Sequence, residues 1–113
     1  MKLREITKIL NADVLVGKNR LDEDIEKGFA SDLMSDVLTL KETPILITGL
    51  CNVQTIRTCD MAGIEYIIIV RNKKPSEDML ELAEDNEMVV MTCQYSLFRT
   101  CGLLYGGGLK PIF

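Results

Sequence analysis

Residues 44–70 read PILITGLCNVQTIRTCDMAGIEYIIIV, and this stretch decides the fold. A nearly continuous apolar run at 44–48 and a second run at 66–70 enclose a segment whose apolar residues recur at helical spacing up to Gly63. Runs that are apolar throughout, without alternation, predict strands covered on both faces, as in parallel sheets flanked by helices. The stretch therefore predicts a strand, a helix and a second strand.

The same unit continues towards both ends of the chain. On the C-terminal side, residues 76–86 predict a helix, residues 88–91 a short strand, and residues 97–105 a last helix that stops at the glycines 106–108. On the N-terminal side the pattern predicts a helix over 2–10, strands over 13–16 and 25–30, and a helix through Leu38 that Ser31 or Asp32 caps. The fold class is thus α/β, a three-layer sandwich with a mostly parallel sheet of about five strands flanked by helices.

Composition places the chain among ordinary globular domains. Its 113 residues are 47% hydrophobic and 27% charged, and no linker divides them, so we expect one domain over residues 1–113. The net charge is -4 and the basic residues are scattered, which disfavours binding to nucleic acid or to a membrane surface. The apolar runs are too short to span a bilayer and the N-terminus lacks a signal-peptide core, so the sequence predicts a cytoplasmic protein.

Candidate ligand-binding residues follow four of the predicted strands. In an open parallel sheet, ligands bind beyond the carboxyl ends of the strands, where loops and helix N-termini meet. These loops offer hydroxyls, amides, one carboxylate, thiols and a small cationic cluster, which suit a small polar or phosphorylated ligand. The alternative is that the same side chains are helix caps and turn residues. The candidates are Ser31, Asp32, Thr48, Gly49, Cys51, Asn52, Arg71, Asn72 and Thr92.

The cysteines and the lack of histidine bear on catalysis and metal binding. Cys51 and Cys59 form one pair and Cys93 and Cys101 another, each eight positions apart. On a helix that spacing is about 12 Å along the axis, too long for two thiolates to share one zinc ion. The chain has no CxxC and no histidine, so we expect free thiols, no metal, no cofactor and no catalytic set. A redox or metal-carrying role that combines both pairs remains an alternative.

From Met1 to Tyr105 the chain resembles the DRTGG domain family. The characteristic stretch of that family runs like I-T-G-D-R, a helix ending in A-G-I, an apolar strand, and T-G-G with a nearby proline. The corresponding residues here are Ile47-Thr48-Gly49-Leu50-Cys51, Met61-Ala62-Gly63-Ile64, the run 66–70, Arg71, Asn72 and Pro75. By position, Leu50-Cys51 replaces the acidic residue and arginine, and Val70-Arg71-Asn72 replaces T-G-G.

The resemblance implies a regulatory, dimer-forming domain without an assigned reaction. Such domains occur beside CBS domains in regulated pyrophosphatases, and their fold is similar to that of the N-terminal domain of HPr kinase. We therefore expect a non-enzymatic regulatory module that forms a homodimer and binds a small metabolite such as a nucleotide, or that relays a signal to a protein partner. The apolar tail 109–113 is expected to pack on this subunit or on a second copy. A purely structural interaction module is the alternative.

Overall fold

The computed structural model describes residues 1–113 and contains five α-helices and six β-strands. The helices are α1 (Leu3–Leu10), α2 (Met34–Val37), α3 (Val53–Ala62), α4 (Glu77–Asp85) and α5 (Leu97–Gly106). The strands are β1 (Asp13–Val16), β2 (Lys27–Ala30), β3 (Ile45–Thr48), β4 (Tyr66–Ile69), β5 (Val89–Thr92) and β6 (Lys110–Pro111).

All six strands form one sheet in the order β1-β5-β4-β3-β2-β6. The strands from β2 to β6 pair in parallel, whereas β1 runs antiparallel to β5 with a register shift between Val14 and Val16. The predicted α/β class with a mostly parallel sheet is confirmed. The sixth strand comes from the C-terminal tail, which pairs with β2 through Lys110 and Pro111.

The sheet separates two apolar layers. Ile45 and Ile47 of β3 point to the layer of α1 and α5, and Leu46 points to the layer of α3 and α4. Every residue of β3 is buried, and so are Ile67, Ile68 and Ile69 of β4. The continuous apolar runs therefore arise, as predicted, from strands that are covered on both faces.

Polar caps fix where three of the helices begin. The side chains of Asn52, Ser76 and Ser96 accept hydrogen bonds from the backbone N–H three residues ahead in α3, α4 and α5. The predicted capping of α2 by Ser31 or Asp32 is wrong: Leu33 holds the cap position, and Ser31 Oγ accepts from Leu33 N at 3.0 Å in the preceding turn. Helix α2 is the shortest of the five helices, a single turn, and has no side-chain cap.

A network of hydrogen bonds and ion pairs lies at the amino edge of the parallel strands. Arg20 donates to Glu23 at 2.7 Å and to Glu65 at 3.0 Å, while the Tyr66 hydroxyl donates to Glu23 at 2.5 Å. The hydrogen bonds from Arg20 and then from Tyr66 lower the pKa of Glu23 to about 2. The segment between β1 and β2 is thereby tied to the start of β4.

The C-terminal tail packs on its own subunit. Leu109 is buried in the layer of α1 and α5, and the Phe113 ring meets Phe29 edge-on with centroids 6.1 Å apart. Phe113 nevertheless remains 89% exposed. None of the five helices combines the length and the apolar character that crossing a bilayer requires.

Candidate functional site

Asp32 joins the loop after β2 to the loop after β3. Its Oδ1 accepts from Thr48 Oγ1 at 2.8 Å and from Gly49 N at 2.7 Å, and Thr48 is fully buried. The Gly49 N–H, the Thr48 hydroxyl and the charge of Lys73 together hold the pKa of Asp32 below its ordinary value. Asp32 is therefore an ionised acceptor at neutral pH, and its Oδ2 forms no hydrogen bond within the protein.

Lys73 joins the loop after β3 to the loop after β4. Its ammonium group donates to the Gly49 carbonyl oxygen, so Gly49 lies between a carboxylate and a cation. A Cβ built on Gly49 would lie 3.6 Å from both Asp32 carboxylate oxygens and 3.7 Å from Lys73 Nζ. Lys73 belongs to the small cationic cluster that the sequence shows after the fourth strand. The charge pattern alone does not show which lysine of that cluster contacts the loop after β3.

A left-handed turn at Arg71 and Asn72 joins the loop after β4 to the loop after β5. Both residues have positive φ, 65° for Arg71 and 56° for Asn72. Their N–H groups donate to the carbonyl oxygens of Tyr95 at 2.8 Å and Cys93 at 2.9 Å. These two positions correspond to the glycines of the T-G-G turn, and glycine is the residue that adopts this conformation without strain.

The remaining candidates lie beside this row of contacts. Asn52 uses its side-chain oxygen to cap α3, accepting from Thr55 N at 3.0 Å. The Cys51 sulfur lies 3.9 Å from that of Met79. Thr92 ends β5, three strands from β2, which corresponds to about 14 Å at the usual strand spacing. The structure therefore brings Asp32, Thr48 and Gly49 into direct contact and spreads the other candidates along one edge.

The thiols do not form a metal cluster. All four cysteines are free, and no group of three or more acidic or cysteine side chains is placed to hold a metal ion. Burial raises the pKa of Cys59 to about 12 and also raises the pKa of Cys51 and Cys101. Because the thiolate is the reactive form, these shifts disfavour a redox role for the three thiols.

The row of loops offers two kinds of recognition. The free oxygen of Asp32 can accept from a hydroxyl or amino group, and the exposed cations Lys73, Lys74 and Arg71 can attract an anion. Within the row, Thr48 and Gly49 are buried and the charged side chains are exposed, whereas open grooves of about 810 Å³ and 510 Å³ lie at the amino edge.

The fold is that of an α/β domain whose candidate site lies at the carboxyl edge of its parallel strands. The sequence matches the DRTGG domain family over residues 5–105. The chain belongs to the DRTGG domain family, as its resemblance to the I-T-G and A-G-I stretches indicated.

The fold is similar to that of a solved regulatory region. It is the CBS and DRTGG domains of the regulatory region of Clostridium perfringens pyrophosphatase, complexed with the activator diadenosine tetraphosphate. The TM-score is 0.74 at 20% identity, with 91% of this chain covered. This chain spans 45% of the length of that solved chain. A sequence comparison with curated proteins gives no match.

Proposed function

We propose that this chain is a non-catalytic regulatory domain that forms a homodimer and binds a small polar metabolite of the nucleotide class. The observation that carries the proposal is the continuous row of contacts along the carboxyl edge. Asp32 links β2 to β3, Lys73 links β3 to β4, and the turn at Arg71 and Asn72 links β4 to the loop after β5. A ligand that contacts one loop thereby acts on its neighbours.

The chemistry of the row suits a nucleotide in two respects. The hydroxyl groups of a ribose, or an amino group, can donate hydrogen bonds to Asp32 Oδ2. Phosphates carry the negative charge that Lys73 and Arg71 attract. Family membership supports a regulatory role, since one DRTGG domain of the same fold stands in the regulatory region of a pyrophosphatase that is complexed with a dinucleotide. The chain's own edge residues, rather than the family motif, would make these contacts, because Leu50 and Cys51 replace the acidic residue and arginine.

Calorimetry and thermal denaturation of the full chain test the ligand half of the proposal. The ligands are AMP, ATP, diadenosine tetraphosphate and inorganic phosphate. A ligand at a hundredfold excess over its Kd stabilises the folded chain by about 2.7 kcal/mol, which gives a readily measured rise in Tm. Lys73→Ala should weaken binding of the active compound by about tenfold, the loss expected for one exposed charge-assisted hydrogen bond.

Lys18→Ala is the matched control, because Lys18 is an exposed lysine at the amino edge of the sheet. It should bind as the unmodified chain does. A chain that responds to none of the four compounds, or that loses equal affinity on either substitution, refutes the ligand half. The structural interaction module would then be the better description.

A further inference from the structure

The sheet carries an uncovered strip on the face of α1 and α5. Strand β2 lies inside the sheet between β3 and β6, yet its residues Lys27–Ala30 are half-buried or exposed, whereas β3 is buried throughout. On this face β2 presents only Gly28 and Ala30, whose partners on β3 are Ile45 and Ile47. The small residues leave an open groove of about 380 Å³ between α5 and strands β2 and β6.

Aromatic side chains stand at the rim of the same groove. Phe98 and Tyr105 of α5 line it, although they are 85% and 70% exposed. Gly102 lies between them on the same helical face, and nothing approaches within 4 Å of a Cβ built there. The surface therefore combines protruding rings, an apolar groove and an open crossing point within one patch.

We propose that a second copy of this chain covers this patch, with α5 crossing its symmetry mate at Gly102 and with Phe98 and Tyr105 of each copy seated in the groove of the other. This assignment rests on the homodimer in the proposed function and specifies which surface of each copy forms its interface. An isologous contact requires one patch to hold both the protrusion and the hollow that receives it. The patch of α5 and β2 meets that requirement.

The exposed rings supply part of the area that a dimer contact buries. Two aromatic side chains contribute roughly 300 Å² of accessible surface per copy, more than a third of the roughly 800 Å² that each partner buries in a standard interface. The groove walls at Ala30, Gly102 and Pro111 add to that area. Covering them would also give β2 the second apolar layer that the neighbouring β3 already has.

Charge favours this face over the opposite one. The groove is lined by no acidic residue, and Lys110 is its charged member. Helix α4, on the other side of the sheet, carries the acidic residues Glu77, Asp78, Glu81, Glu84 and Asp85. Two copies that met through α4 would bring these carboxylates together, and like charges in a contact oppose association.

A single cysteine at the crossing point tests the geometry. Packed helices have axes about 8–10 Å apart, and each Cα lies about 2.3 Å from its axis, so two Gly102 Cα atoms at the crossing would be about 3.4–5.4 Å apart. The upper part of that range allows a disulfide. In a Cys101→Ala background, which removes the neighbouring thiol, Gly102→Cys should form a covalent dimer on mild oxidation. Met61→Cys, at a 71% exposed position on α3, should stay monomeric on a non-reducing gel.

Light scattering on the full chain supplies the second measurement. Phe98→Asp should raise the dimer Kd by at least tenfold, while Met61→Asp, at an exposed position outside the patch, should leave it unchanged. If the chain is a dimer that ignores Phe98→Asp, and the Gly102→Cys variant does not cross-link, the assigned face is overturned but the proposed dimer stands. A monomeric unmodified chain overturns both. Circular dichroism on each variant shows that the fold is intact.

Discussion

Replacing Arg71 by glycine should stabilise the domain, because the native backbone at this position suits glycine better than arginine. Arg71 has a φ of 65°, and the left-handed region costs a residue with a Cβ about 1–2 kcal/mol. Glycine removes that strain but loses about 0.5–1 kcal/mol through the greater freedom of the unfolded chain. The N–H that donates to Tyr95 is retained, so the net gain is about 0.5–1 kcal/mol.

Thermal unfolding at a fixed protein concentration measures this gain. With an unfolding entropy of about 2.1 cal/mol/K per residue, a 113-residue domain should gain about 2–4 °C in Tm. Arg57→Gly makes the same change at an exposed position inside α3 and should lower stability by about 1 kcal/mol, because glycine is a poor helix former. A fall in Tm for Arg71→Gly would refute the reasoning and would indicate that the arginine side chain makes a stabilising contact.

Three further predictions concern packing, pH and thiol chemistry. Gly17→Ala should lower the free energy of unfolding by more than about 2 kcal/mol in urea denaturation, since the φ of Gly17 is 87° and the new Cβ would lie 2.9 Å from a backbone oxygen. Gly49→Ala should lower it by less than about 1 kcal/mol, because the nearest atoms to its new Cβ, the Asp32 carboxylate oxygens, are 3.6 Å away. Glu23 has a folded pKa of about 2 against 4.5 ordinarily, so its contribution is complete above pH 4.5 and is lost as pH falls towards 2. Glu23→Gln should therefore show a smaller loss of stability than the unmodified chain between about pH 6 and pH 3, and an equal loss contradicts the assignment. Cys59 is fully buried with a pKa of about 12, so a thiol reagent at about pH 8 should modify it only as the protein unfolds.

The order of the strands and helices follows from local patterns in the sequence. Residues 45–47 and 66–69 are apolar at successive positions. Strands buried on both faces require such continuous runs, so the sequence itself indicates that these strands are buried. Strand β6 was missed because a two-residue strand containing Pro111 has no periodicity and poor strand propensity. Its position depends on Leu109, which anchors the tail in the core.

The contacts of the candidate site depend on distances that local patterns do not contain. Asp32 follows a strand and precedes a helical segment, so a capping role was the simplest expectation for it. Its carboxylate instead accepts from Thr48 and Gly49, sixteen and seventeen residues away in sequence. Because the carboxyl ends of parallel strands lie at one edge of the sheet, the sequence predicted which loops lie together. The register of β2 against β3 then determines which atoms of these loops are in contact.

The two outer strands have a consequence for growth into larger assemblies. At one border Pro111 lacks the N–H that another strand would need, and at the other the register shift between Val14 and Val16 interrupts the regular ladder. Neither border is a good template for an added strand, so fibril-like extension of the sheet from copy to copy is blocked. The proposed dimer contact between α5 and β2 avoids both borders and, being isologous, closes with two copies.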